Sequence, residues 1–152
     1  MFTTPAHWIA GGGGIGRVPF APGTAASFVA VLIGALALWL DHRLLTLLAI
    51  ATCVVGVWAV HETHEAGDPG WIVIDEFAGQ WIAMIGLAHV SLLGLIAAFV
   101  LFRFFDITKL GPVGWADRKD GAIGVMADDV VAGLIAAAIL FIMTNLFPNL
   151  LS

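Results

Sequence analysis

FAGQWIAMIGLAHVSLLGLIAAFVLF, residues 77–102, contains no charged side chain. At 1.5 Å per residue, an unbroken helix of this length exceeds what a hydrocarbon core of about 30 Å requires. Gly86, His89, Ser91 and Gly94 lie in its middle and are turn-like residues. The run reads either as one long tilted helix or as two short helices broken near His89–Ser91. Charge decides. Arg103, Lys109, Arg118 and Lys119 follow the run, Arg17 precedes the first apolar segment, and Arg43 lies in the first polar turn. With the N-terminus inside and the run broken, every basic residue but Arg43 falls on the cytoplasmic side. A single span would strand the four that follow it outside, against the positive-inside rule. The expected fold class is therefore all-α: a polytopic membrane helical bundle of about four to five hydrophobic helices, acidic motifs on the cytoplasmic side. The two halves, each about 12–14 residues, are too short to span unaided. They are expected to re-enter or to be sheltered by neighbouring helices.

Composition supports a membrane protein. Of 152 residues, 61% are hydrophobic and only 11% charged, with mean hydropathy +1.02; a soluble domain carries about 25% charged residues. One domain, 1–152, is expected at this size. The net charge of -5 argues against nucleic-acid binding and against a polybasic membrane-surface anchor. Cys53 is the single cysteine, so there is no disulfide framework and no CxxC metal site; it reads as a packing residue. Met1–Ala10 lacks a basic n-region, and no cleavable signal peptide is expected.

Around the central run, residues 1–23 are rich in Gly and Pro (GGGGIGRVPFAPG) and read as a loop with a short amphipathic start at His7–Ala10. Thr24 reads as the N-cap of an apolar helix to Leu40. Asp41-His42-Arg43 is a polar turn, Leu44–Val60 runs back, and His61–Gly70 is a polar loop. Leu110–Gly124 reads as a cytoplasmic loop and Val130–Leu146 as the last helix, with Pro148 just beyond it. Ala132, Gly133, Ala136 and Ala137 permit close helix packing. The tryptophans, including Trp71, Trp81 and Trp115, read as an interfacial belt.

The charges that remain are grouped. Asp75 and Glu76 are adjacent at the edge of the central run, and Asp128 and Asp129 repeat the pattern before the last apolar segment. Helix capping by acids near N-termini explains either pair alone. Both pairs together fit a hard-cation site better, because Mg2+ takes one or two carboxylates plus waters and substrate phosphate. In such a site one acid of each pair is a ligand and the other orients it. Arg103, Asp106 and Lys109 follow the spacing i, i+3, i+6 on roughly one helix face. They read as a local ion-pair cluster or, with Asp106 joining the ligands, as Arg103 and Lys109 holding phosphate oxygens. The glycine-rich loop Gly11–Ser27 adds a weak anion-site signal, without the Gly-Lys-Ser/Thr of a P-loop. The histidines have no metal-ligand spacing; His61 and His64 read as interfacial. No CxxxxxR loop, DxDxT motif or paired-His signature with flanking Arg is present. What remains is metal-assisted attack by water on a phosphate. The alternative from another class is a small membrane cation transporter or channel with an acidic cation site, which calls for ionisable residues near the middle of the spans.

RVPFAPGTAAS, VIDEFAGQWI, FRFFDITK and GAIGVMADDVVAG, in that order, resemble the motif blocks of the phosphatidylglycerophosphatase A family. The resemblance covers nearly the whole chain and rests on the ordered set. It implies a bacterial multi-pass inner-membrane enzyme, facing the cytoplasm, that uses Mg2+ to hydrolyse phosphatidylglycerophosphate to phosphatidylglycerol and phosphate. It places the family's acidic, catalytic residues at Asp75, Glu76, Asp106, Asp128 and Asp129, with Asp75, Glu76, Asp106 and Asp129 expected to hold the metal. Phosphate binding is implied for Arg103, Lys109, Gly23 and Thr24. The chain departs from the family pattern at Leu110, where Pro usually follows the lysine, and at Ala26, where Gly is usual.

Overall fold

In the computed structural model, which describes residues 2–65, 67, 69–147 and 151, the central run is broken where the sequence places the break. The chain forms α1 (Pro5–Ala10), a 3-10 helix (Gly12–Arg17), α2 (Pro22–Leu40), α3 (His42–Thr63), α4 (Ile74–Ile85), α5 (Leu92–Thr108), α6 (Pro112–Asp117) and α7 (Gly121–Leu146). No strand occurs among the described residues. The α2, α3 and α7 helices are each long and apolar enough to cross a membrane, which agrees with an all-helical membrane protein.

The α4 helix, of 12 residues, is the sheltered element. Asp75 and the residues from Phe77 to Met84 are buried on every side of it, as a helix enclosed by others must be. It packs against α2, α3, α5 and α7. Small residues set the closest of these approaches. A Cβ on Gly133 would collide with the carbonyl of Gly79, and one on Gly79 would meet the Phe102 ring and the carbonyl of Asp129. Ala132 and Ala136 are fully buried, and Gly86 lies against the backbone of Ala137. The small-residue stripe on α7 thus admits α4 at backbone contact, and this contact fixes Asp129 beside the first turn of α4.

Several boundaries differ from expectation, each for a physical reason. Thr24 is not an N-cap: Ala21, in the left-handed region at φ 46, caps α2, and Pro22 starts it. Proline suits the first helical position because its missing N–H would be unsatisfied there anyway. Within the loop read from the N-terminal glycines, Gly12–Arg17 wind into a 3-10 helix kinked at Gly13 and Gly14, whose φ values are 68 and 107. Positive φ at both positions is what glycine tolerates. Residues 110–124 are not all loop, since they hold α6 and the first turn of α7. The last helix begins at Gly121, not Val130, so Asp128 and Asp129 sit about two turns inside it. Capping therefore does not explain that pair. Trp81 is a core residue whose indole donates to the Ala30 carbonyl at 2.8 Å, and it leaves the interfacial belt. Trp115 is exposed, with the Lys119 ammonium 4.2 Å from its ring centroid. Cys53 packs half-buried against the core. Pro148 lies outside the described residues.

Candidate active site

Four helices deliver the predicted residues to one place. Asp75 and Glu76 occupy the first turn of α4, where the helix dipole favours negative charge. Asp106 lies in the last turn of α5, with Arg103 one turn before it and Lys109 at its C-cap. Asp128 and Asp129 come from α7. Gly23 and Thr24, in the first turn of α2, close the group. A Cβ on Gly23 would meet Glu76 Oε1, so a larger residue there would displace the Glu76 carboxylate.

Asp75, Asp106, Asp128 and Asp129 are 5%, 7%, 4% and 3% exposed. Carboxylates are almost never this buried unless paired or bound to a metal. Some pairing is present. Arg103 Nη1 donates to Asp106 Oδ2 and lies 3.8 Å from Glu76 Oε1, while its Nη2 donates to Thr24 Oγ1 at 3.4 Å. Lys109 Nζ donates to Asp106 Oδ1 at 3.1 Å and to Asp128 Oδ2, and lies 3.6 Å from Asp117 Oδ1. Burial alone would lower the Lys109 pKa. The hydrogen bond to Asp128 and the charges of Asp106 and Asp128 outweigh it, and the ammonium is held above its usual range. Lys109 adopts a left-handed conformation at φ 50, a position where non-glycine residues are uncommon and often functional. Both cations are thus engaged by carboxylates.

The pairing is incomplete. Glu76 Oε2, Asp128 Oδ1 and Asp129 Oδ2 are buried without a hydrogen-bond partner. The acids form two overlapping groups, Asp75–Glu76–Asp129 and Asp106–Asp128–Asp129, each offering ligand oxygens within 4.8 Å of one another. Asp129 belongs to both. In the second group Lys109 already bridges Asp106 and Asp128. Oxygen-only donor sets of this kind suit hard divalent cations.

The sequence missed two neighbours. Gln80, one turn after Glu76 on α4, is wholly buried, and neither of its amide atoms has a partner. Its signal was a lone amide in an uncharged run. Asp117, on α6, joins Lys109, and it was obscured by reading that helix as loop. His61 lies in the last turn of α3 and not in a loop, His64 is the C-cap of that helix, and both are exposed. Of the glycine-rich segment, Gly23 and Thr24 reach the site, whereas Gly12 backs onto Val73 and Phe77. A polar cavity of about 420 Å³, lined in part by Asp117, Lys119, Asp120 and Asp128, opens onto the α7 side of the cluster.

Known proteins share this arrangement of sequence. Residues 8–144 match the family model for phosphatidylglycerophosphatase A. The chain is 37% identical over 150 residues to phosphatidylglycerophosphatase A of Escherichia coli, covering 96% of this chain and 87% of that one. It is 36% identical over 142 residues to phosphatidylglycerophosphatase A of Haemophilus influenzae, covering 90% and 87%. A putative phosphatidylinositol-3-phosphatase of Bacteroides thetaiotaomicron is 36% identical over 136 residues, covering 81% and 83%. No solved structure matches the chain. By the family model and by identity over nearly its whole length, the chain belongs to the phosphatidylglycerophosphatase A family and is a phosphoric monoester hydrolase.

Proposed function

We propose that the chain hydrolyses phosphatidylglycerophosphate to phosphatidylglycerol and phosphate, as a step of phospholipid biosynthesis, at the cytoplasmic face of a bacterial inner membrane. The proposed cofactor is Mg2+, held by Asp75, Glu76, Asp106 and Asp129. The observation that carries this reading is the buried, unpartnered oxygen of Asp129 at the junction of both acidic groups. Among the described residues, Arg103 and Lys109 are the cations ion-paired within a group of five acids (Asp75, Glu76, Asp106, Asp128 and Asp129), a formal excess of negative charge at a site meant for a phosphate. A cation reverses that logic, and the unpartnered oxygens of Glu76 and Asp129 are placed to ligate it.

When bound, Mg2+ supplies an acidified water and neutralises phosphate charge. The protein's own groups do the rest. Arg103 and Lys109 present N–H donors to the phosphate oxygens, the first in a planar fork and the second as a point charge. Thr24 holds the Arg103 fork from α2. Asp128 Oδ1, without a hydrogen-bond partner, takes the proton of the attacking water. As the phosphorus–oxygen bond to glycerol breaks, that proton passes to the glycerol oxygen. The enzyme class leaves no support for the cation-transporter alternative.

The substrate is tested by phosphate release from mixed micelles carrying phosphatidylglycerophosphate, phosphatidate or phosphatidylinositol 3-phosphate. We expect kcat/KM to favour phosphatidylglycerophosphate by about tenfold or more, a margin that a few differential headgroup contacts supply. Preference for phosphatidylinositol 3-phosphate, suggested by the printed name of the Bacteroides relative, would overturn the substrate assignment. Release from none of the three would overturn the lipid phosphatase reading.

A further inference from the structure

We propose that the groove between α2 and α5 binds an acyl chain of the lipid substrate and so sets the depth at which its phosphate meets Arg103. This rests on the lipid phosphatase reading above. The groove is a cavity of about 290 Å³ lined by apolar side chains, among them Phe28, Val31 and Leu32 from α2 and Leu95, Ile96 and Phe99 from α5.

Its position relative to the acidic cluster carries the inference. On α2, Phe28 lies four residues after Thr24; on α5, Phe99 lies four residues before Arg103. Residues at that spacing share a helix face. The same two faces that join Arg103 to Thr24 by a hydrogen bond therefore continue, one turn deeper, as the walls of the groove. The polar end offers hydrogen-bond donors and the other end offers hydrocarbon, in the order in which a phospholipid presents headgroup and tail. From Phe99 to Leu92 the wall extends about 10 Å, against roughly 15 Å of hydrocarbon in one leaflet. An upper stretch of one acyl chain fits that length.

Moving a chain from bilayer to groove gains little hydrophobic free energy, since both surroundings are apolar. The groove acts by orientation: a tail seated between α2 and α5 fixes the distance from its glycerol to Arg103, which a lipid diffusing past the bundle does not have. The consequence falls on the discrimination between long-chain and short-chain substrates.

The test uses the full chain in nanodiscs. A long-chain phosphatidylglycerophosphate bearing a diazirine in one acyl chain is photolysed, and the crosslinked peptides are identified by mass spectrometry. Crosslinks are expected on the groove segments around Phe28–Leu32 and Leu95–Phe99, enriched about tenfold over the exposed lipid-facing residues of α3 such as Val54. In parallel, Leu32→Trp and Ile96→Trp fill the groove. Each is expected to lower the ratio of kcat/KM for long-chain over dihexanoyl substrate by about tenfold, while Val54→Trp leaves the ratio unchanged. Crosslinks spread evenly over α3 and the groove, or an unchanged ratio in both groove variants, would overturn the inference while leaving the phosphatase reading in place. Absence of phosphate release from the wild-type protein would remove both. The crosslinking arm needs no substitution, so a variant that fails to fold does not blunt the test.

Discussion

Asp129→Asn is expected to lower kcat for phosphate release by about 10³-fold or more, equivalent to about 4 kcal/mol of lost transition-state stabilisation. The protein should remain folded and at least as resistant to heat as the parent. Asp129 is buried, one of its oxygens has no partner, and it is the acid common to both ligand groups. Asparagine keeps its shape but removes the charge that a divalent cation needs. The same change relieves a buried, crowded carboxylate, which costs stability when uncompensated. Loss of activity with retained or raised thermal stability is the signature of a residue kept for function. Rate assays in micelles and thermal unfolding in the same detergent, without added metal, check both halves. Near-parental activity would remove Asp129 from the metal site, and a collapse of stability would make its role structural.

Lys109→Met is expected to reduce both activity and stability. Lys109 ties the end of α5 to Asp128 on α7 and to Asp117 on α6, and it shares Asp106 with Arg103. Without it, Asp106 and Asp128 lose a compensating charge in a buried setting. Breaking a fully buried ion pair costs about 3–5 kcal/mol. With the lysine side chain 32% exposed, solvent screening reduces the expected cost to about 2 kcal/mol. Activity should fall by about 10²-fold or more, because the same ammonium is assigned to phosphate oxygens. Lys109→Arg restores the charge but not the compact ammonium. It should recover most of the stability and less of the rate. Equal recovery of both would show that Lys109 serves only to hold the helices together.

How far the sequence carried these conclusions depends on the residue. The break in the central run was legible because the positive-inside rule favours Arg103, Lys109, Arg118 and Lys119 on the same side as Arg17, and Gly86 and Ser91 marked where the chain turns. The convergence of Asp75, Glu76, Asp106, Asp128 and Asp129 was legible for a related reason: charges are scarce in an apolar chain, so those present are constrained. The start of α7 was not legible. GAIGVMADD reads as a polar, glycine-containing approach to a helix, yet Val125 and Met126 pack with Ala59 and Val60 of α3 and Ala78 of α4, and that burial supports the helix back to Gly121. Tertiary contact overrode local propensity there. Thr24 was misread as a cap because it carries the right hydroxyl, while Pro22 two residues earlier was the stronger start signal. Nor could the sequence say that Gly23 leaves the space the Glu76 carboxylate occupies, or that Gln80 is wholly buried without a partner. Both facts depend on the crossing of α4 with its neighbours and not on any spacing along the chain.

The most direct test of the metal-centred account is phosphate release from phosphatidylglycerophosphate by protein stripped with EDTA and then titrated with Mg2+. The account expects no release after chelation and saturable recovery as Mg2+ is restored, with no recovery in Asp129→Asn over the same range. Full activity in the stripped protein, or equal recovery in Asp129→Asn, would contradict it.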